Sequence, residues 1–290
     1  MTFWRLGLLG YPLEHSRSPQ LHTAALRALG WAGEYRLYSV PPGQPRALRV
    51  WVERLRSGQL QGLNVTIPHK QAVLPWLDGL TPAAQAIGAA NTLFRDARGR
   101  VVGDNTDAAG FWADARRRLP LAAGPAGRAL VLGAGGAARA VVYALSTAGW
   151  TVWVLARRVA QAQALARDLQ PHGVGRITPL AWNALAELVA TPGPPWLIVN
   201  ATPVGMTPHA GQSPWPAQVP WPPRAAVYDL VYNPRPTRLV QQARAAGLPA
   251  VDGLGMLVEQ AVRAFVRWTA ADENRVRAAM YTAVGLDPAA

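Results

Sequence analysis

Arg128-Ala129-Leu130-Val131-Leu132-Gly133-Ala134-Gly135-Gly136-Ala137-Ala138 changes character halfway along. Residues 129–132 are a short apolar run of the kind that forms a buried strand, and the glycines directly after it cannot extend that strand. Helical apolar spacing follows over residues 137–148, and residues 151–155 are strand-like again. Strand, helix and strand in this order form a βαβ unit, whose two strands run parallel. The junction reads Gly-x-Gly-x-x-Ala from Gly133 to Ala138. Glycine there permits a tight turn and lets the backbone N–H groups of Gly133, Ala134, Gly135, Gly136 and Ala137 approach a pyrophosphate, which the positive end of the helix attracts. With a strand on either side of it, the stretch predicts a dinucleotide-binding domain rather than a bare glycine-rich turn.

About 20 residues beyond the fingerprint, the end of the second strand is where such domains meet the adenosine ribose. An NAD-binding domain offers a carboxylate there, whereas this chain has Ala156-Arg157-Arg158. A guanidinium presents a planar fork of donors that matches a phosphate. The expected cofactor is therefore NADP, with Arg157 and Arg158 on its 2′-phosphate.

Outward from this unit, strands are expected at residues 196–200, 225–230 and 248–251, with a Pro-rich connection at 207–223 that can be neither regular helix nor central strand. The first hundred residues alternate separately: strands at 4–9, 34–40 and 62–67, helices at 18–29 and 45–57. Residues 256–270 and 272–284 have helical spacing and close the chain. The fold class is α/β in two domains, an N-terminal mainly parallel substrate domain and a Rossmann-type NADP domain. The division is placed at residues 1–106 plus 253–290 for the first and 107–252 for the second, with the C-terminal helices packing back on the first domain.

Of the 290 residues half are hydrophobic, enough for a sizeable core, and there is no cysteine. Disulfides, thiolate metal sites and a cysteine nucleophile are thereby excluded, and a reducing, cytoplasmic setting is expected. The first ten residues lack the features of a signal peptide, and no apolar run reaches about 18 residues, so no membrane segment is expected. The net charge of +13 invites a nucleic-acid reading. The arginines are scattered, however, apart from Arg116-Arg117-Arg118 in a helix expected to be exposed, so nucleic-acid binding is not expected. His15, His22, His69, His172 and His209 have no metal-ligand spacing, and no metal is expected. Among 29 basic residues Lys70 alone is a lysine. An ammonium can exchange its proton where a guanidinium cannot, which marks Lys70 as a candidate for proton transfer.

Polar side chains gather where loops should follow the early strands: Ser16 and Ser18 in Gly10–Pro19, Asn64, Thr66 and Lys70, Asn91 and Thr92, and Asp107 in Gly-Asp-Asn-Thr-Asp. Hydroxyls, amides, one ammonium and one carboxylate suit a small polyhydroxylated substrate. Together these segments resemble the shikimate dehydrogenase family. The motifs are Gly-x-Pro-x-x-His-Ser-x-Ser-Pro from Gly10, Asn-Val-Thr-Ile-Pro-x-Lys from Asn64, Gly-Ala-x-Asn-Thr from Gly88, Gly-x-Asn-Thr-Asp from Gly103, Gly-Ala-Gly-Gly-Ala from Gly133, Asn-Ala-Thr-Pro-x-Gly-Met from Asn200, Tyr-Asp-x-x-Tyr from Tyr228, and Gly-x-Gly-Met-Leu-x-x-Gln from Gly253.

The resemblance implies reversible NADPH-dependent reduction of 3-dehydroshikimate to shikimate, on the route to chorismate and the aromatic amino acids. It implies Lys70 and Asp107 as the catalytic pair, and Ser16, Ser18, Thr66, Asn91, Tyr232 and Gln260 as substrate contacts. The glycine loop, Arg157, Leu230 and Gly253 would meet the cofactor, and the site would lie in a cleft between domains of a monomer or homodimer. The chain departs from the family at Ala156 and Arg158, where Asn and Thr are usual, at Gln161, where a basic residue is usual, and at Thr23, where Asn is usual. A broader quinate/shikimate dehydrogenase and a non-catalytic ligand sensor are the competing readings. The sensor would lack the Lys70 and Asp107 pair. Whether Lys70 takes the proton, or holds its charge while Asp107 does, stays open at this level.

Overall fold

The computed structural model describes residues 3–173 and 175–288. It divides into two compact units, Met1–Gly110 with Val258–Ala290, and Phe111–Leu257. Asp107 therefore belongs with Lys70 to the first unit. The strands are β1 (Trp4–Gly10), β2 (Gly33–Ser39), β3 (Gly62–Val65), β4 (Gly79–Leu80), β5 (Thr92–Arg95), β6 (Val101–Asp104), β7 (Arg128–Leu132), β8 (Thr151–Leu155), β9 (Ile177–Leu180), β10 (Trp196–Asn200), β11 (Ala226–Asp229) and β12 (Ala250–Asp252). The helices are α1 (Ser18–Leu29), α2 (Pro45–Arg56), α3 (Pro82–Ile87), α4 (Thr106–Arg118), α5 (Pro120–Ala123), α6 (Gly136–Thr147), α7 (Val159–Leu169), α8 (Leu185–Ala190), α9 (Arg238–Ala245), α10 (Leu254–Thr269) and α11 (Glu273–Ala283).

In the second unit the sheet order is β12-β11-β10-β7-β8-β9 and every pairing is parallel. Numbered within the unit this is 3-2-1-4-5-6, the doubly wound order whose direction reverses beside its first strand. That reversal lies between β7 and β10, so the glycine loop leaves β7 at the switch point. Both faces are covered, which is why β7, β10 and β11 read as continuous apolar runs. Leu130, Leu132, Trp196, Ile198 and Val227 are buried in one core with Leu239, Val240 and Trp215. Residues 207–223 carry neither helix nor strand.

The first unit holds a mixed sheet, order β2-β1-β3-β5-β6-β4. β1 lies between β2 and β3 with parallel pairing, but β5 pairs antiparallel with β3 and with β6. The sequence reading places no strands at the hairpin β5–β6, whose strands have four residues each. Its turn chemistry is nevertheless present: Asp96 Oδ1 accepts from the N–H groups of Arg98 and Arg100, both at 2.9 Å, and Gly99 has φ +77°.

α10 from Val258 onward and α11 complete this unit. Trp268 of α10 donates from Nε1 to the Leu93 carbonyl at 2.9 Å and lies across Gly62, where an added Cβ would stand 2.2 Å from the indole. Arg267 reaches Asp104 at 3.1 Å. Buried Glu259 accepts from Arg263 at 2.5 Å, Arg277 at 3.0 Å and Tyr281 at 3.2 Å, tying α10 to α11. These guanidiniums hold its carboxyl below the usual value although burial opposes them.

One expectation of surface charge is corrected. Arg117 and Arg118 are not a basic patch but are partly buried against Asp114, at 3.3 and 3.4 Å. Asp114 is buried and also accepts from the Tyr228 hydroxyl at 2.6 Å. Burial pushes its carboxyl up, with Arg118 opposing. The run thus neutralises an internal charge, and only Arg116 is fully exposed.

Candidate active site

Lys70 is placed by the backbone before its side chain does anything. Its carbonyl accepts from Ala90 N at 2.9 Å, and Val65 N donates to the Asn91 carbonyl at 2.8 Å, so the segment after β3 is laced to the segment before β5. Asp107 sits in the first turn of α4, where the positive end of the helix favours a carboxylate. Lys70 Nζ meets Asp107 Oδ2 at 2.6 Å, with the side chains 16% and 8% exposed. The other carboxylate oxygen, Oδ1, accepts from Asn91 Nδ2 at 2.9 Å. Asn91 cannot turn its amide around, because its Oδ1 accepts from Thr106 N at 2.8 Å, and a backbone N–H can only donate. An ammonium has three donors and this contact uses one, which leaves N–H groups for a substrate hydroxyl.

Gln260 on α10 joins the cluster, its Oε1 3.4 Å from Asn91 Nδ2. Ser16 and Ser18 lie together at the start of α1, Ser16 Oγ accepting from Ser18 N at 3.3 Å. Arg17 at the N-cap makes no side-chain capping bond, and Ser16 takes the first backbone N–H of the helix instead. Thr66 N donates to Leu9 O at 2.8 Å, and its methyl group packs so closely on Gly10 that a Cβ there would stand 2.3 Å away. Sequence reasoning placed Asn64 and Thr92 in the polar constellation without an individual role and did not single out Thr106, although each lies inside a quoted motif. Their signal was a polar side chain in a buried strand or helix start, visible only once burial is known. His69 is buried with Nε2 2.6 Å from the Val40 carbonyl and serves structure.

Leu230, Tyr232 and Gly253 belong to the second unit. Gly253 packs against the Leu230 backbone, where a Cβ would lie 2.3 Å from the carbonyl oxygen, so glycine is required there by close approach. Asp229, at the end of β11, accepts from Asn200 Nδ2 at 2.8 Å, Val231 N at 3.0 Å and Thr237 Oγ1 at 2.6 Å. Burial raises its carboxyl to about 6 against these donors.

The glycine loop has the shape a pyrophosphate needs. Gly133 takes φ +110°, and a Cβ added at Gly135 or Gly136 would meet nothing within 4 Å. These glycines therefore do not serve internal packing; they leave open space before α6, whose first turn no side chain caps. Arg157 and Arg158 are exposed beyond β8, and neither makes an ion pair with the described residues. The residues present fit a dinucleotide carrying an additional phosphate. Among the described residues no group of three His, Asp or Glu is disposed to hold a metal ion, and no helix is long and apolar enough to cross a membrane.

Residues 8–93 match the model of the shikimate dehydrogenase substrate binding domain, and residues 253–282 that of the shikimate 5′-dehydrogenase C-terminal domain. A shikimate dehydrogenase (NADP+) of Salinibacter ruber is 46% identical over 97% of this chain and 96% of its own length. This chain belongs to the shikimate dehydrogenase family. A solved member, shikimate 5-dehydrogenase of Thermus thermophilus in complex with NADP(H) and shikimate, is 40% identical with TM-score 0.80, covering 97% of this chain and 99% of that one. Quinate dehydrogenase of Corynebacterium glutamicum in complex with NAD shares the architecture at TM-score 0.84 and 34% identity, covering 97% and 100%. Within the shikimate dehydrogenase family, therefore, the fold alone does not separate shikimate from quinate or NADP from NAD; side chains do.

Proposed function

We propose that the chain is a shikimate dehydrogenase that interconverts shikimate and 3-dehydroshikimate with NADP, and that Lys70 and Asp107 are its catalytic pair. The observation that carries the assignment is the 2.6 Å contact between the lone lysine and a carboxylate whose second oxygen is held by Asn91. A ligand sensor on the same fold would have no use for this arrangement.

When bound, NADP supplies the hydride acceptor and donor of the reaction. Lys70 Nζ donates to the substrate hydroxyl that becomes a carbonyl, and Asp107 fixes where the ammonium points. Because Asp107 is held on one oxygen by Asn91 and on the other by Lys70, a proton leaving the hydroxyl passes to this pair as a unit. Ser16 and Ser18 hold the substrate carboxylate through their hydroxyls, and Thr66, Asn91, Gln260 and Tyr232 hold the ring hydroxyls. Gly133, Ala134, Gly135, Gly136 and Ala137 provide backbone donors for the pyrophosphate, and Leu230 and Gly253 provide backbone against the cofactor. Arg157 and Arg158 take the 2′-phosphate, which a carboxylate would repel. The substrate domain is placed at residues 1–106 plus 253–290 and the cofactor domain at 107–252, a division supported by the compact units Met1–Gly110 with Val258–Ala290 and Phe111–Leu257.

Steady-state reduction of NADP and of NAD with shikimate, and with quinate as competing substrate, tests the assignment. The expected result is shikimate-dependent reduction of NADP with kcat/KM at least about ten-fold above that for quinate or for NAD. Absence of shikimate-dependent turnover refutes it, and equal turnover of quinate moves the chain to the broader enzyme.

A further inference from the structure

Three buried polar residues stand behind the Lys70–Asp107 pair and take no part in the chemistry derived above: Tyr35 on β2, Asn64 on β3 and Thr92 on β5, exposed by 7, 5 and 0%. Their hydrogen bonds have a determinable direction. Asn64 Nδ2 lies 3.1 Å from the Asn91 carbonyl, which can only accept, so Asn64 Oδ1 faces the other way. There it receives the Tyr35 hydroxyl at 2.8 Å. Asn64 Nδ2 also donates to Thr92 Oγ1 at 3.2 Å, and of the two acceptors within reach of the Thr92 hydroxyl, Asn91 Oδ1 at 3.0 Å is nearer than Thr106 Oγ1 at 3.2 Å. Asn91, with its amide fixed by Thr106 N, then donates to Asp107.

We infer that Tyr35, Asn64 and Thr92 are positioning residues for Asp107, acting through one unidirectional chain of hydrogen bonds, Tyr35 to Asn64 to Thr92 to Asn91 to Asp107, that keeps the carboxylate in line with Lys70. Each donor in such a chain polarises the next, so the members act together rather than singly. The sheet makes the chain possible, because Asn64 and Thr92 are direct cross-strand partners in the β3–β5 ladder. Removing the Tyr35 hydroxyl takes the donor from Asn64 Oδ1 and leaves Asn64 Nδ2 on the Asn91 carbonyl, with a less polarised bond to Thr92, whose hydroxyl has an alternative partner in Thr106 Oγ1 at 3.2 Å. Asn91 keeps Thr106 N on its oxygen but loses the Thr92 donor, which weakens the polarisation of its own bond to Asp107. The inference rests on Lys70 and Asp107 being the catalytic pair.

The test compares Tyr35→Phe, Thr92→Val, Thr92→Ser and the double variant Tyr35→Phe/Thr92→Val with the wild type in shikimate oxidation. Tyr35→Phe and Thr92→Val are each expected to lower kcat about ten-fold, the worth of one buried hydrogen bond expressed in the transition state, with shikimate KM within about two-fold. Thr92→Ser, which restores the hydroxyl, is expected to return kcat to within about two-fold of wild type, showing that the loss is not a folding defect. The double variant should be no more than about two-fold worse than either single one, since both break the same chain. Unchanged kcat in Tyr35→Phe, a loss carried by KM, no recovery in Thr92→Ser, or losses that multiply in the double variant would each overturn the chain while leaving the enzyme assignment standing. A wild type without shikimate turnover overturns both.

Discussion

Acidification should destabilise this protein through His22, a residue with no part in the chemistry. The imidazole is fully buried in α1, stacked on Tyr35 with ring centroids 4.2 Å apart and planes within 1°, and neither ring nitrogen has a hydrogen-bond partner. Burial lowers its pKa from 6.5 to about 3, with nearby Asn64 opposing only in part. The unfolded chain therefore binds a proton below pH 6.5 that the folded chain refuses until about pH 3. Stability from this source is complete above pH 6.5 and is lost as pH falls, by about 2 kcal/mol at pH 5 relative to pH 8. Asp229 works the other way: its folded value of about 6 exceeds the ordinary 3.8, so the folded state takes its proton first and gains stability as pH falls through 6. A comparison of wild type with His22→Leu cancels that contribution, since Asp229 lies in the other unit. Urea unfolding of both proteins at the two pH values is the assay. At pH 8 the variant should be less stable by about 1 kcal/mol for the lost ring stack, and at pH 5 more stable by about 1 kcal/mol. A stability difference that stays constant between the two pH values would show that the folded protein protonates His22 as readily as the unfolded chain does, and would refute the reasoning.

Lys70→Ala should lower kcat by about 10²- to 10⁴-fold while shikimate KM changes little, and turnover within a few-fold of wild type would remove Lys70 from the catalytic pair. The double variant Arg157→Ala/Arg158→Ala should reduce the preference for NADP over NAD by about ten- to a hundred-fold, read from kcat/KM for each cofactor, because charge-assisted bonds to the 2′-phosphate disappear. An unchanged preference would assign the phosphate to other residues. Glu259→Gln should destabilise the first unit by about 3 kcal/mol in urea unfolding, since partly buried Arg263 keeps its charge without this carboxylate and Arg277 keeps only Glu273 as counterion. The carboxyl titrates below its ordinary value in the folded state, so the stability Glu259 contributes is present above that ordinary value and fades as pH falls through the lowered one. The difference between wild type and variant should narrow in acid accordingly.

The cofactor unit was legible because its signals are local. A glycine placed where no Cβ fits a tight turn, a continuous apolar strand covered on both faces, and two arginines after the second strand each act within a few residues of chain. The order 3-2-1-4-5-6 was supplied by the structure. The substrate unit was less legible. Its strands β5 and β6 are four residues each, too short for a period, and the sheet changes from parallel to antiparallel at β5. The arginine run at 116–118 looked like surface because its counterion, Asp114, also binds Tyr228, which is distant in sequence and recognisable as a neighbour only after folding.

The sequence by itself determined the two-domain α/β class, the glycine loop, the bias toward a phosphorylated dinucleotide and the identity of the one lysine able to exchange a proton. The resemblance named Asp107 as the partner of that lysine, and tertiary structure decided the geometry in which the two meet. Lys70 and Asp107 are 37 residues apart and meet because β3, β5 and β6 are hydrogen-bonded side by side. The orientation of Asn91 depends on a backbone N–H from α4, and its oxygen is further linked through Thr92 and Asn64 to a tyrosine from β2. Hydrogen-bond direction is a property of donors and acceptors brought within about 3 Å of one another. No reading of residue type along the chain contains it until the sheet has brought those groups together.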